Sequence, residues 1–272
     1  MESLTHLAAA LAYAAGVEKP ACAEEASEEL VAYIDESLGG KKADRVFLYN
    51  PDAVAYWMQQ KYPNLMPCTK SIAGIAIPFQ TMLPAVTPVC FGTFYTGAEP
   101  KVHGIMKYEK PVIKIDTLFD SMIRAGKKCL IIAHGECSMG KIFREREMDY
   151  IVLKSIEEVN AAAVEAILED QYDFMCVYNG NFDSMMHKYG PESPEAFGAL
   201  RQNDSVFGTF YDLISRHWTK HNVFMGFAMD HGCHARYKIK PDGSVSLGDH
   251  GADIPVDREI CHYYRGIPAE EA

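Results

Sequence analysis

The sequence predicts an α/β fold, with a mainly parallel central sheet and helices on both faces. Three observations carry this. Short apolar runs such as residues 45–49 and 173–178 have the length and composition of buried strands. They alternate along the chain with helical segments, the order that gives a parallel sheet covered on both sides. Several of them end in Asp, and open α/β sheets place their ligands just past the carboxyl ends of the strands.

Taken in order, residues 4–16 are rich in Leu and Ala and predict an amphipathic helix ending near Gly16. The first six residues supply an acid and no Lys or Arg, unlike the charged start of a signal peptide. A second short helix is expected over 27–38, stopped by Gly39-Gly40. The strand at 45–49 follows, then Asn50-Pro51-Asp52 and a helical run through Gln60. An apolar, proline-broken stretch leads to Thr87-Pro88. Proline tolerates the first helical turn and Thr is an acceptable N-cap. Thr87 therefore stands at the mouth of a helix closed by Thr96-Gly97, where free N–H groups and the dipole favour an anion.

Beyond it come a short strand at 112–115, a helix at 117–125 stopped by Gly126, and strands at 129–133 and 150–153. His134-Gly135-Glu136 reads as a polar loop, and 155–168 as an Ala-rich helix. The strand at 173–178 releases a loop, 179–191, carrying Asp183 and His187. A long helix over 193–218 starts at Pro194 with Glu195 in its first turn. The strand at 223–228 ends in Asp230-His231-Gly232. Pro241-Asp242-Gly243 between 236–239 and 244–247 signals a hairpin returning to His250. A last strand, 259–264, carries His262, read as structural or exposed, and His234 reads as a polar loop residue close enough to His231 to join it.

At 272 residues, with no linker-like shift in composition, the chain reads as one domain, 1–272. A net charge of −11 argues against a nucleic-acid polymer or an anionic membrane as partner. No apolar run approaches membrane-spanning length. The eight cysteines are scattered, with no Cys-x-x-Cys pair, which points to free thiols and a reducing cytoplasm.

Taken singly, Thr87 and Asp52 are ordinary helix caps and His187 a surface residue. Together they are more. Three strand ends carry Asp, and in two of them a His follows within four residues. Mixed Asp and His donors suit a divalent metal such as zinc.

Four segments resemble the alkaline phosphatase superfamily, most of all its type I phosphodiesterase/nucleotide pyrophosphatase branch. Thr87 lies nine residues before Thr96-Gly97 and is followed by Pro100-Lys101-Val102-His103-Gly104-Ile105. Asp183-Ser184-Met185-Met186-His187-Lys188-Tyr189-Gly190-Pro191, Asp230-His231-Gly232 and His250-Gly251 follow in the family's order. The resemblance implies an alkaline-phosphatase-like domain without a large cap insertion. It implies two divalent ions, zinc or manganese: Asp52, Asp230 and His231 would hold one beside Thr87, and Asp183, His187 and His250 the other. The implied activity is hydrolysis of small phosphate esters, nucleotide-like ones among them, through a phosphothreonine on Thr87.

Two departures stand out. The branch usually carries Asp-Gly directly after the first strand, whereas this chain offers Asn50 at the strand end and Asp52 two residues on. An Asn three residues after the nucleophile, a phosphate contact in the branch, is Cys90 here, a far weaker donor. A phosphomonoesterase or phosphonate hydrolase of the same superfamily, and a binding protein that keeps the metals without catalysis, are the rival readings. Oligomeric state is not legible.

Overall fold

The computed structural model describes residues 1–239 and 241–270. Ten strands are found among them: β1 (Glu2–Ser3), β2 (Arg45–Pro51), β3 (Ile75–Gln80), β4 (Cys129–His134), β5 (Asp149–Leu153), β6 (Phe174–Asn179), β7 (Val223–Phe227), β8 (His234–Ile239), β9 (Val245–Asp249) and β10 (Glu259–Ile267). Eight form one sheet in the order β1-β3-β10-β7-β2-β6-β4-β5, while β8 and β9 make a separate hairpin. Every pairing in the large sheet is parallel except those of β10, which runs antiparallel to β3 and β7.

The centre of the sheet is β7-β2-β6, with Leu48 opposite Cys176 on one side and Gly226 on the other. Side chains in all three strands are buried at consecutive positions, because helices cover both faces and leave no solvent side. The carboxyl ends of these neighbours therefore open at the same edge of the sheet. Asp52 and Asp230 sit just past two of those ends, and Asp183 lies on the helix that follows the third.

Several elements differ from the sequence expectation, each for a physical reason. The helix Leu7–Ala15 is buried on nearly all sides, not amphipathic. Its alanines let it press between the helices Glu28–Ser37, Thr87–Thr96 and Leu118–Arg124. Residues 112–115 form no strand, although the helix after them begins as expected at Thr117, whose side chain completes a capping box with Asp120. Proline in a run argues against a strand, yet β3 contains Pro78. It is tolerated there because the flanking β1 pairs only Phe79 and Gln80. The expected loop after β6 is mostly a helix, Asn181–Tyr189. The long helix Pro194–His217 and the hairpin fall within a few residues of expectation.

Candidate metal centre

Thr87 is the first residue of the helix Thr87–Thr96, which Gly97 ends in a left-handed conformation at φ 68°. The N–H groups of Val89 and Cys90 both donate to the Val86 carbonyl, so neither is available to an anion at the helix mouth. The Thr87 hydroxyl instead donates to Asp52 Oδ2 at 3.3 Å and lies 3.4 Å from His231 Nε2.

Asp52 has left its strand. Its N–H donates to the Asn179 carbonyl of β6 at 2.9 Å, and the next residue, Ala53, turns the chain at φ 64°, uncommon for a residue with a side chain. Asn50, the rival at the strand end, is engaged elsewhere: its Nδ2 donates to the Ala228 carbonyl at 2.7 Å and its Oδ1 accepts from the Tyr95 hydroxyl at 2.7 Å. Asp230 accepts the Ala53 N–H at 3.2 Å. The turn that carries Asp52 is thereby tied to the end of β7.

Asp183 and His187 lie one turn apart on the helix Asn181–Tyr189, so both side chains face the same way. The hairpin brings His250 to them. Two groups of candidate ligands result: Asp52, Asp230 and His231, and Asp183, His187 and His250, with the ligand atoms of each group within 4.8 Å of one another. The His231 and His250 rings stack with centroids 4.1 Å apart and join the groups.

Two features test whether these residues fit divalent ions. First, each of the three carboxylates keeps one buried oxygen with no hydrogen-bond donor: Asp52 Oδ1, Asp183 Oδ1 and Asp230 Oδ2. Each lies 3.3 to 3.5 Å from a histidine Nε2. Second, each histidine hands Nδ1 to a backbone carbonyl at 2.9 Å: His187 to Gly248, His231 to Gly232 and His250 to Ala85. An Nδ1–H so held leaves the Nε2 lone pair free for a metal, the arrangement found behind most metal-bound histidines.

The electrostatics agree. Burial, then the charge of Asp183, raises the Asp52 carboxyl above its ordinary range. Asp230 is pushed well up by burial and then by Asp52. Burial opposes a charged His231, but Asp230 and Asp52 outweigh it and the imidazole is raised. Burial and then the charge of His231 drive His250 down to about 3. Without a cation the buried carboxylates must recruit protons; a divalent ion removes that need. The donor set fits.

A cavity of about 590 Å³ opens beside the centre, bounded on one side by Asp52, Thr87, Asp183, His187 and His250. Tyr108, Lys110, Ser138, Tyr178 and Lys238 also line it and belong to no motif. Cys90 is fully buried and does not line this cavity, and burial raises its thiol far above the usual range. His234 is paired with Asp257 at 2.7 Å and stands in neither ligand group. His262 is buried, bridging the Met229 carbonyl at 2.6 Å and the Tyr264 hydroxyl at 2.8 Å. All eight cysteines are unpaired, and among the described residues no helix is long and apolar enough to cross a membrane.

Comparison with known proteins follows the same lines. A sequence profile described as type I phosphodiesterase / nucleotide pyrophosphatase matches residues 133–243. Ectonucleotide pyrophosphatase/phosphodiesterase family member 7 of Mus musculus is 37% identical over 65 residues, and that of Homo sapiens 36% over 64. These matches cover 24% of this chain and only 15% and 14% of the relatives. Among solved structures, human ectonucleotide pyrophosphatase/phosphodiesterase 5 superposes with a TM-score of 0.64 at 13% identity, covering 81% of this chain and 87% of that one. Phosphonoacetate hydrolase from Sinorhizobium meliloti 1021, in complex with phosphonoformate, gives 0.53 at 21% identity, covering 76% of this chain and 61% of that one. The fold is thus alkaline-phosphatase-like, and over residues 133–243 the sequence is similar to the type I phosphodiesterase / nucleotide pyrophosphatase family.

Proposed function

We propose that the protein is a metal-dependent hydrolase of small phosphate esters, phosphodiesterase-like, acting through Thr87 as a single catalytic domain in the cytoplasm. The observation that carries this is the position of the Thr87 hydroxyl, within 3.4 Å of both Asp52 and His231 and on the wall of the cavity. Asp52, Asp230 and His231 would hold one divalent ion and Asp183, His187 and His250 a second, zinc or manganese. Bound there, such ions lower the pKa of an oxygen nucleophile and neutralise charge gathering on the phosphoryl oxygens.

The chain's own residues do the rest. Thr87 sits at a helix start and is almost wholly buried, so its Oγ1 is held at one place with one approach, from the cavity. Loss of its proton leaves an oxygen that bonds to phosphorus as the leaving-group oxygen departs. Water then cleaves the Thr87 ester and restores the hydroxyl. Lys110 supplies positive charge on the cavity wall for an anionic substrate, whereas Lys238 is paired there with Asp249 at 3.3 Å.

A nucleotide-like substrate is supported by murine ectonucleotide pyrophosphatase/phosphodiesterase 5, whose inactive variant, solved in complex with AMP, superposes on 83% of this chain with a TM-score of 0.64. The phosphonoacetate hydrolase neighbour favours a second reading, cleavage of a phosphonate. Comparing aryl phosphate diester, monoester and phosphonate substrates on metal-reconstituted protein separates these. Diester turnover lost in Thr87→Ala is the expected result; turnover of none of the three contradicts the proposal.

A further inference from the structure

The first-strand ligand of this chain is displaced. Asp52 stands beyond the end of β2, after Pro51; its N–H still bonds to the Asn179 carbonyl of β6, but its carboxylate must be held by side chains from other elements. Three observations identify what holds it. Tyr178, opposite Asn50 in the β2–β6 register, donates a short hydrogen bond from its hydroxyl to Asp52 Oδ2. Asp52 Oδ1, the other oxygen, is buried without a donor and lies 3.3 Å from His231 Nε2, inside the ligand group. The Tyr178 ring is in turn covered by His134, stacked at 5.5 Å and 22°.

Gly180 makes this packing feasible. A Cβ there would come within 2.8 Å of His134 Nε2 and 2.9 Å of the Tyr178 hydroxyl, too close for any side chain without moving both. Ring, stacking partner and glycine thus form one device at the end of β6, aimed at one carboxylate oxygen.

We propose that Tyr178 is a positioning residue for Asp52: by occupying Oδ2 it turns Oδ1 into the ligand group, and His134 holds the ring that does so. This rests on the metal-centre reading above. A hydrogen bond to a ligating carboxylate fixes its orientation, and losing such a partner costs about ten- to a hundredfold in metal affinity.

The test is Tyr178→Phe, which keeps the ring and its stack and removes one oxygen. Zinc affinity is measured by chelator competition on the purified protein, with no substrate present. The expected result is one of two sites weakened about tenfold or more, the other unchanged, and no further loss when Tyr178→Phe is added to Asp52→Ala. The thermal midpoint of the metal-free variant separates this from loosened packing: a structural role lowers it and leaves zinc affinity intact, which overturns the proposal. Equal affinity of wild type and Tyr178→Phe at both sites overturns it as well. Wild type that binds no divalent ion overturns this inference and the metal-centre reading together. His134→Leu, which keeps bulk but loses the aromatic stack, is expected to weaken the same site by a smaller factor.

Discussion

The two ligand groups differ in depth and in what carries them. Asp52, Asp230 and His231 come from the ends of the two central strands and are at most 2% exposed. Asp183, His187 and His250 come from a helix and the segment after a hairpin, and are 22%, 25% and 9% exposed. The buried group is backed by the sheet and by Tyr178, and it alone touches Thr87. The open group faces the cavity and is steadied by two backbone carbonyls, that of Gly248 in β9 and that of Ala85 ahead of the Thr87 helix. Depth therefore goes with Thr87, the proposed nucleophile, and openness with the cavity side. A buried group also costs more to leave empty, since its carboxylates have no water to turn to.

The largest expected effect breaks the comparison at its centre. Thr87→Ala should lower turnover by a factor on the order of ten thousand, as for other covalent nucleophiles. Metal content by elemental analysis should stay near wild type, because the Asp and His ligands remain; loss of both metals would remove the assigned separation of roles. Next, Asp230→Ala and Asp183→Ala should each deplete about one of two ions. Timed chelation of wild type should strip the open group first, giving two phases that collapse to the slow one in Asp183→Ala. A single phase would show that depth does not govern exchange.

A third prediction concerns the cost of the buried group. Asp52 and Asp230 are raised in the folded protein, so between the unfolded and folded pKa values the fold binds more protons than the unfolded chain. The stability these groups contribute is present at low pH and lost as pH rises. Metal-free Asp230→Asn should accordingly be more stable than metal-free wild type at pH 8, with the gap closing towards pH 4. Urea denaturation at both pH values checks this, and a gap that widens on acidification contradicts it. The smallest effect is expected from Cys90→Ala, since the thiol is enclosed and off the cavity. Turnover should change by no more than a few-fold, whereas a collapse of kcat with intact metal binding would restore Cys90 to the substrate site.

Much of this was legible in the chain because the relevant signals are local. Strand and helix periods, Gly and Pro stops, and the Ser and Thr caps put most elements near their places. The candidate ligands that the fold brings together stand at motif positions or strand ends. What escaped was non-local. β3 was hidden by Pro78, acceptable only beside so short an edge strand. The antiparallel direction of β10 depends on pairing partners far along the chain. Asn50 and Asp52 could not be separated from sequence, because the difference lies in Tyr95 and the Ala228 carbonyl, which occupy Asn50. Tyr178 looked like the end of an apolar strand, and only the β2–β6 register shows that it faces Asp52.

Thr87 Oγ1 is the atom proposed to bond to phosphorus. The most direct measurement is acid quenching of metal-reconstituted protein during turnover of an aryl phosphate ester, followed by mass spectrometry of the peptide that contains Thr87. The account predicts a phosphoryl adduct on Thr87, formed in wild type and absent from Thr87→Ala. Full turnover with no adduct at any time, or turnover retained by Thr87→Ala, would contradict it.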